Sequence, residues 1–112
     1  MPAAYTDLFL EQGADFSTTL TLDDAYGNIY DLNNYIAASF VKTSYYTKNI
    51  TAEFTVTIPD TTQGIILLQL DSANTANIQS GRYVYDVLLK DSGTITRVLE
   101  GVVNVNPQVT RW

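Results

Sequence analysis

Three glutamates, Glu11, Glu53 and Glu100, are the side chains of this sequence best suited to chemistry. A pair of carboxylates flanking a sugar ring can run glycoside hydrolysis, one as acid and the other as base or nucleophile. Glu53 and Glu100 fall at positions that strand alternation turns outward, so solvated surface is the simpler account of them. Nucleophilic catalysis of the Ser-His-Asp or Cys-His kind has no residues to run on, because the chain contains neither His nor Cys. A hard cation could be held by Asp23, Asp24 and Asp31, or by Asp60 and Asp71, since calcium takes clustered oxygens. No recognised calcium-loop spacing joins them, and aspartates in turns ordinarily bond nearby backbone. Gly27, Gly64 and Gly93 are isolated, so no phosphate-cradling loop is present, and Asn49-Ile50-Thr51 is an incidental glycosylation match. The expectation is no catalytic residue, no cofactor and no metal, and a chain that acts by binding.

Tyrosine carries the binding expectation. Tyr26, Tyr30, Tyr35, Tyr45 and Tyr46 lie in or beside predicted loops. Tyr joins apolar area to one hydrogen-bonding tip and is enriched at interfaces. Tyr5, Leu8, Phe9 and Leu10 form an apolar N-terminal arm or edge strand within residues 1–10, and Val109, Arg111 and Trp112 lie in a tail over residues 107–112. An exposed apolar end segment marks a contact surface, and an extended arm can add a strand to a neighbouring sheet edge.

These residues need a scaffold, and the composition bounds it. With 112 residues, 46% of them hydrophobic, the chain fits one domain with a single core. The net charge of −6 disfavours nucleic acid and anionic membrane as partners. Charged residues make up 16%, below the usual ~25%, which leaves a surface of Thr, Ser, Asn, Gln and Tyr. No apolar run approaches the roughly 20 residues of a spanning helix, and the first residues lack the pattern of a secretory signal.

Short strands at intervals of about ten residues predict an all-β, immunoglobulin-like antiparallel sandwich of about seven or eight strands. Residues 5–11 read as an edge strand or arm. Phe16, Thr18, Leu20 and Leu22 share one face of the next strand. Residues 35–42 are apolar on both sides, with Ile36, Ala38 and Phe40 in one set, which implies burial on both faces or a protein contact on the outer one. Phe54, Val56 and Ile58 point inward until Pro59-Asp60 stops their strand, and Ile66, Leu68 and Leu70 face the core. A short helix over residues 72–78 is capped by Asp71 or Ser72. Residues 82–90 and 94–105 pair as a hairpin through a three-residue loop, Asp91-Ser92-Gly93, with Gly93 left-handed. That register sets Tyr85 opposite Leu99, Tyr83 opposite Gly101, and Arg97 opposite Val87 on the core face. Arg97 there needs a carboxylate at the sheet end, or a bulge that re-aims it.

Ser80-Gly81-Arg82-Tyr83-Val84-Tyr85-Asp86 has the form of a tyrosine corner, with Tyr83 the better candidate to bond back to the preceding connection. Gly81, Tyr83, Tyr85 and Gly93 are thus expected to be structural. Residues 11–16 (Glu11-Gln12-Gly13-Ala14-Asp15-Phe16), 24–32, 70–76, 81–86 and 97–111, taken in order, resemble a family of small immunoglobulin-like domains in tailed-phage virion proteins. The chain is similar to the N-terminal domain of phage baseplate upper proteins and to related tail sandwich proteins, including those of phages of marine cyanobacteria. The resemblance implies a non-enzymatic virion component, made in the host cytoplasm, that contacts other virion proteins and copies of itself in the tail or baseplate. Decoration of the phage head, or recognition of carbohydrate or host surface through Tyr and Asn loops, stand as alternatives.

Overall fold

Alternating burial along each strand builds two facing layers. The computed structural model describes residues 4–22, 32, 35–60 and 62–110. Among these, the elements run β1 (Ala4–Tyr5), β2 (Leu8–Glu11), β3 (Phe16–Thr21), β4 (Ile36–Lys42), β5 (Ala52–Asp60), β6 (Ile65–Leu70), α1 (Ser72–Thr75), β7 (Gly81–Asp91) and β8 (Thr94–Asn106). The strand order is β1-β8-β7-β4-β5-β6-β3, with β2 also on β8. β5 belongs to both layers: Ala52, Glu53 and Phe54 pair with β4, and from position 55 onward it pairs with β6. One layer is therefore β1/β2, β8, β7, β4 and the start of β5; the other is the rest of β5 with β6 and β3.

The core lies between them. β7 turns Tyr83, Tyr85, Val87 and Leu89 inward, β8 turns Leu99, Val103 and Val105, and β6 answers with Ile66, Leu68 and Leu70. Phe54 sits where β5 changes layers, its ring 5.7 Å from Phe16 and 6.1 Å from Tyr85 in an edge-on contact. Buried Ser39 donates its hydroxyl to the Asp86 carbonyl at 2.7 Å, so its burial leaves nothing unpaired. The architecture is an all-β, immunoglobulin-like sandwich. Its helix lies in the crossover between β6 and β7, where Asp71 accepts a hydrogen bond from the Asn74 N–H. The Tyr83 hydroxyl donates back to the Gln79 carbonyl at 2.6 Å, which pins that crossover to β7.

Four expectations are corrected. Leu8 and Leu10 are not arm contacts: at 5% and 0% exposure they are core, because β2 runs parallel to β8 with Leu8 opposite Val103 and Leu10 opposite Val105. The hairpin loop is two residues, not three. Ser92 (φ 51°) and Gly93 (φ 90°) form the turn and Asp91 pairs with Thr94, the left-handed pair that matches strand twist. The shorter turn sets Arg97 opposite Leu88 on the outer side, and beyond it a bulge at Val98 adds a further one-residue shift, so Tyr85 faces Gly101 and Tyr83 faces Val103. β5 continues through Pro59, whose missing N–H falls where the β5–β6 register breaks. The α-helix spans only Ser72–Thr75, and the chain turns so that Thr75 and Ile78 are both buried.

Candidate interaction surface

β1 and β2 are one strand interrupted at residues 6 and 7, since both keep the same offset against β8. The interruption is built around Gly101. A β-carbon there would collide with the Thr6 carbonyl oxygen and lie 3.2 Å from the Tyr85 ring. Into that space Tyr85 donates its hydroxyl to the Thr6 carbonyl at 2.6 Å, the Thr6 N–H donates to the Glu100 carbonyl, and the Val102 N–H donates to the Asp7 carboxylate. Burial pushes the Tyr85 hydroxyl well above the usual phenol range, and the Asp7 carboxylate adds to the rise. Residues 4–11 are thus bolted to β8, and only alternate side chains face outward.

Those outward side chains join a larger face. On the outer side of the β8–β7–β4 layer the cross-strand register makes rows: Phe9–Asn104–Arg82, then Val102–Val84–Lys42, then Tyr5–Glu100–Asp86–Phe40–Glu53, then Arg97–Leu88–Ala38, then Ile95–Lys90–Ile36. Ile36 is 67% exposed, Ile95 60%, Phe9 63% and Tyr5 61%. A groove of about 240 Å³ opens on this face, floored by Phe40, Val84 and Leu88 and walled by Lys42, Tyr45 and Arg97. The outer side of the other layer differs in kind: its rows are Ser17–Gln69–Thr55 and Thr19–Leu67–Thr57, and none of the large exposed hydrophobic residues lies there.

Charge is segregated the same way. Lys42, Arg82, Lys90 and Arg97, four of the chain's six basic residues, project from this one face. With Asp7, Glu11, Glu53, Asp86 and Glu100 beside them the face is of mixed charge, five acidic groups to four basic, although the chain carries −6. Arg97 lies 3.3 Å from Asp86 and 3.2 Å from Glu100. Among the described residues Lys42, Arg82 and Lys90 have no ion-pair partner.

The carboxylates expected from the sequence are not brought together for hydrolysis. Glu53 and Glu100 are three strands apart in one row, about 14 Å at the usual strand spacing, beyond the ~5–9.5 Å that such pairs need. Glu11 lies at the end of β2 and accepts from Asn106. Asp86 and Glu100 do meet, but Arg97 fills the space between them. Among the described residues no group of three or more His, Cys, Asp or Glu is placed to hold a metal ion. Asp71 caps α1, and Asp15 accepts the Ser72 N–H at 2.7 Å, which commits both carboxylates beside a second recess of about 400 Å³. Asp23, Asp24 and Asp31 lie outside the described residues, as do Tyr26, Tyr30, Arg111 and Trp112.

Of the contacts expected from sequence, Tyr5 and Phe9 belong to the face and Tyr45 overhangs its groove; Tyr46, 96% exposed, is on the same loop. Val109 is exposed in the C-terminal segment, whose Gln108 N–H donates to Gln12. The Tyr5 hydroxyl is raised above its ordinary range by partial desolvation and then by Asp7. Sequence reasoning missed Ile95, Lys90 and Leu88 as surface contacts, because the bulge at Val98 decides which of their neighbours share a side.

No protein-family profile matches the chain, and no curated protein does. Among solved structures, CopC from Methylosinus trichosporium OB3b is similar over 99% of this chain and 92% of that one, at 13% identity and a TM-score of 0.50. InlP of Listeria monocytogenes is similar over 93% of the chain at 12% identity and a TM-score of 0.49, and the chain spans only 28% of InlP. The Lin-41 filamin domain is similar over 88% of this chain and 82% of that one, at 20% identity and 0.45. No helix among the described residues is long and apolar enough to cross a membrane. What the chain shares with CopC at so low an identity is its fold, a two-layer all-β sandwich.

Proposed function

We infer that this chain is a non-enzymatic structural component of a tailed-phage virion that assembles through the outer face of β8, β7 and β4. The observation that carries assembly is the asymmetry of the two outer faces. One holds Ile36, Ile95, Phe9 and Tyr5 within a field of mixed charge that gathers four of the six basic residues, and the other is Thr-, Ser- and Gln-rich. Apolar surface rimmed by charge is the usual mark of a protein contact. The virion class, and within it the tail or baseplate, is supported by the order of the phage-like segments along the sequence. Head decoration uses the same face equally well.

Mass spectrometry of particles purified from the native source tests this directly. Recovery of the chain in fixed ratio to the major virion proteins is expected; its absence from the particles would overturn the reading. A second reading, recognition of a glycan, is favoured by the groove beneath Tyr45, since aromatic walls suit sugar rings. Saturable glycan binding by the isolated protein, lost in Tyr45→Ala, would select it.

A further inference from the structure

We propose that the free edge of β3 is a strand-addition site, which takes an extended, basic segment of another chain as a further strand of the smaller layer. β3 ends that layer, since it pairs with β6 alone. The Leu22 N–H donates to the Gly64 carbonyl at 2.7 Å, which makes residues 22 and 64 a hydrogen-bonded pair, and the unbroken register carries the pattern back along β3. Phe16, Thr18 and Leu20 therefore turn their backbone groups toward β6. Ser17, Thr19 and Thr21 turn theirs away, and among the described residues nothing takes these three N–H donors and three carbonyl acceptors. The inner side of the edge is unfinished as well. Ile66, Leu68 and Leu70 on β6 are buried, while Leu20, Thr18 and Phe16 opposite them are only half-buried. The inward side chains of one more strand would cover them.

The two edges of the sandwich are built differently. At the other one, β1 and β2 are interrupted at residues 6 and 7, and Asp7 and Glu11 put charge along it. Broken pairing and charge are how native proteins blunt an edge. β3 has six residues in register, with no charge, no Pro and no bulge. Its surroundings choose the occupant. None of the six basic residues lies in β3, β5 or β6, and Asp15 and Asp71 stand exposed at the Phe16–Leu70 end. Charge complementarity thus selects a segment with apolar residues at alternate positions, to cover Phe16 and Leu20, and Lys or Arg beside that end. A second copy, at −6, brings the wrong sign. This edge is separate from the outer face of β8, β7 and β4, which keeps its own partner.

Amide hydrogen exchange followed by NMR reads this edge residue by residue. In the free protein the amides of Ser17, Thr19 and Thr21 should exchange fast, and those of Thr18 and Leu20 slowly. The probe is a synthetic peptide, Lys-Thr-Val-Thr-Val-Thr-Lys. At millimolar concentration it should slow the three open amides about tenfold or more. The same peptide N-methylated along its backbone should not slow them, and one with Glu in place of both Lys should bind about fivefold more weakly. Protection of the three amides in free, dilute protein would show that the edge is not open. No slowing by the Lys peptide, or equal slowing by its N-methylated form, overturns strand addition. Equal affinity for the Lys and Glu peptides overturns the basic partner, and protection that rises with protein concentration alone gives the edge to a second copy instead. None of these outcomes bears on recovery of the chain from particles, so the assembly reading stands or falls separately.

Discussion

Replacing Gly101 by alanine should release the N-terminal strand from the sandwich. The new methyl group would meet the Thr6 carbonyl oxygen head-on and press the Tyr85 ring at 3.2 Å. Backbone at Thr6 must retreat, and the Tyr85 hydroxyl, now 2.6 Å from that oxygen, loses its acceptor. Overpacking costs about 1–3 kcal/mol, and an unsatisfied buried hydroxyl about 1–3 kcal/mol more. The sum, about 2–6 kcal/mol, is a large share of a typical 5–15 kcal/mol stability. At about 2.1 cal/mol/K of unfolding entropy per residue, each kcal/mol moves the melting temperature of a chain this size by about 4 °C. A shift of about 8–24 °C is therefore expected by calorimetry. Tyr85→Phe removes only the hydroxyl and should cost about 1–2 kcal/mol. Because both changes act through Thr6, the double variant should lose less than the two singles together. Gly101→Ala within about 0.5 kcal/mol of the parent, or strictly additive effects, would refute the idea that Gly101 exists to admit Thr6.

Other outcomes follow from the same contacts. Tyr85 ionises later in the folded state than in the unfolded one, so its contribution is intact below pH ~10 and is lost as pH rises above it, at up to about 1.4 kcal/mol per pH unit. Alkaline unfolding should be shallower in Tyr85→Phe, and an identical pH slope would contradict this. Tyr83→Phe should cost about 1–2 kcal/mol by removing the bond to Gln79, measured by urea unfolding. Arg97→Met should change stability by no more than about 1 kcal/mol, since Arg97 is half exposed and its ion pairs are screened. Deleting residues 1–10 should unfold the domain rather than merely disarm it, because Leu8 and Leu10, each worth about 1.5–3 kcal/mol when buried, leave with it. A folded, cooperative truncation product by circular dichroism would count against that.

Much of the layer structure was legible in the sequence because period-two alternation is local. Phe54, Val56 and Ile58, the Ile66-Leu68-Leu70 set and the Tyr83–Gln79 bond could all be placed from neighbouring residues alone. The two-sided apolar pattern at residues 35–42 left burial on both faces and an outer contact open, and the exposure of Ile36 rules out burial of the outer side along its whole length. What failed depended on pairing across strands. The register of β7 on β8 turned on Ser92 accepting a left-handed conformation and on one extra residue at Val98, and neither leaves a strong trace in the sequence. The signal for Leu8 and Leu10 was present: they alternate with Asp7, Phe9 and Glu11, the pattern of a half-buried strand rather than a free arm. The clustering of Lys42, Arg82, Lys90 and Arg97 appears only when β4, β7 and β8 lie side by side.

The central claim is that the outer face of β8, β7 and β4 is covered in the assembled state. Hydroxyl-radical footprinting of the protein, free and within purified particles, measures this residue by residue. Strong protection of Ile36, Leu88, Ile95 and Phe9 in the particle is expected, with Leu67 labelled equally in both. Unchanged labelling of the first four, or protection confined to the Thr-rich face, would contradict the account.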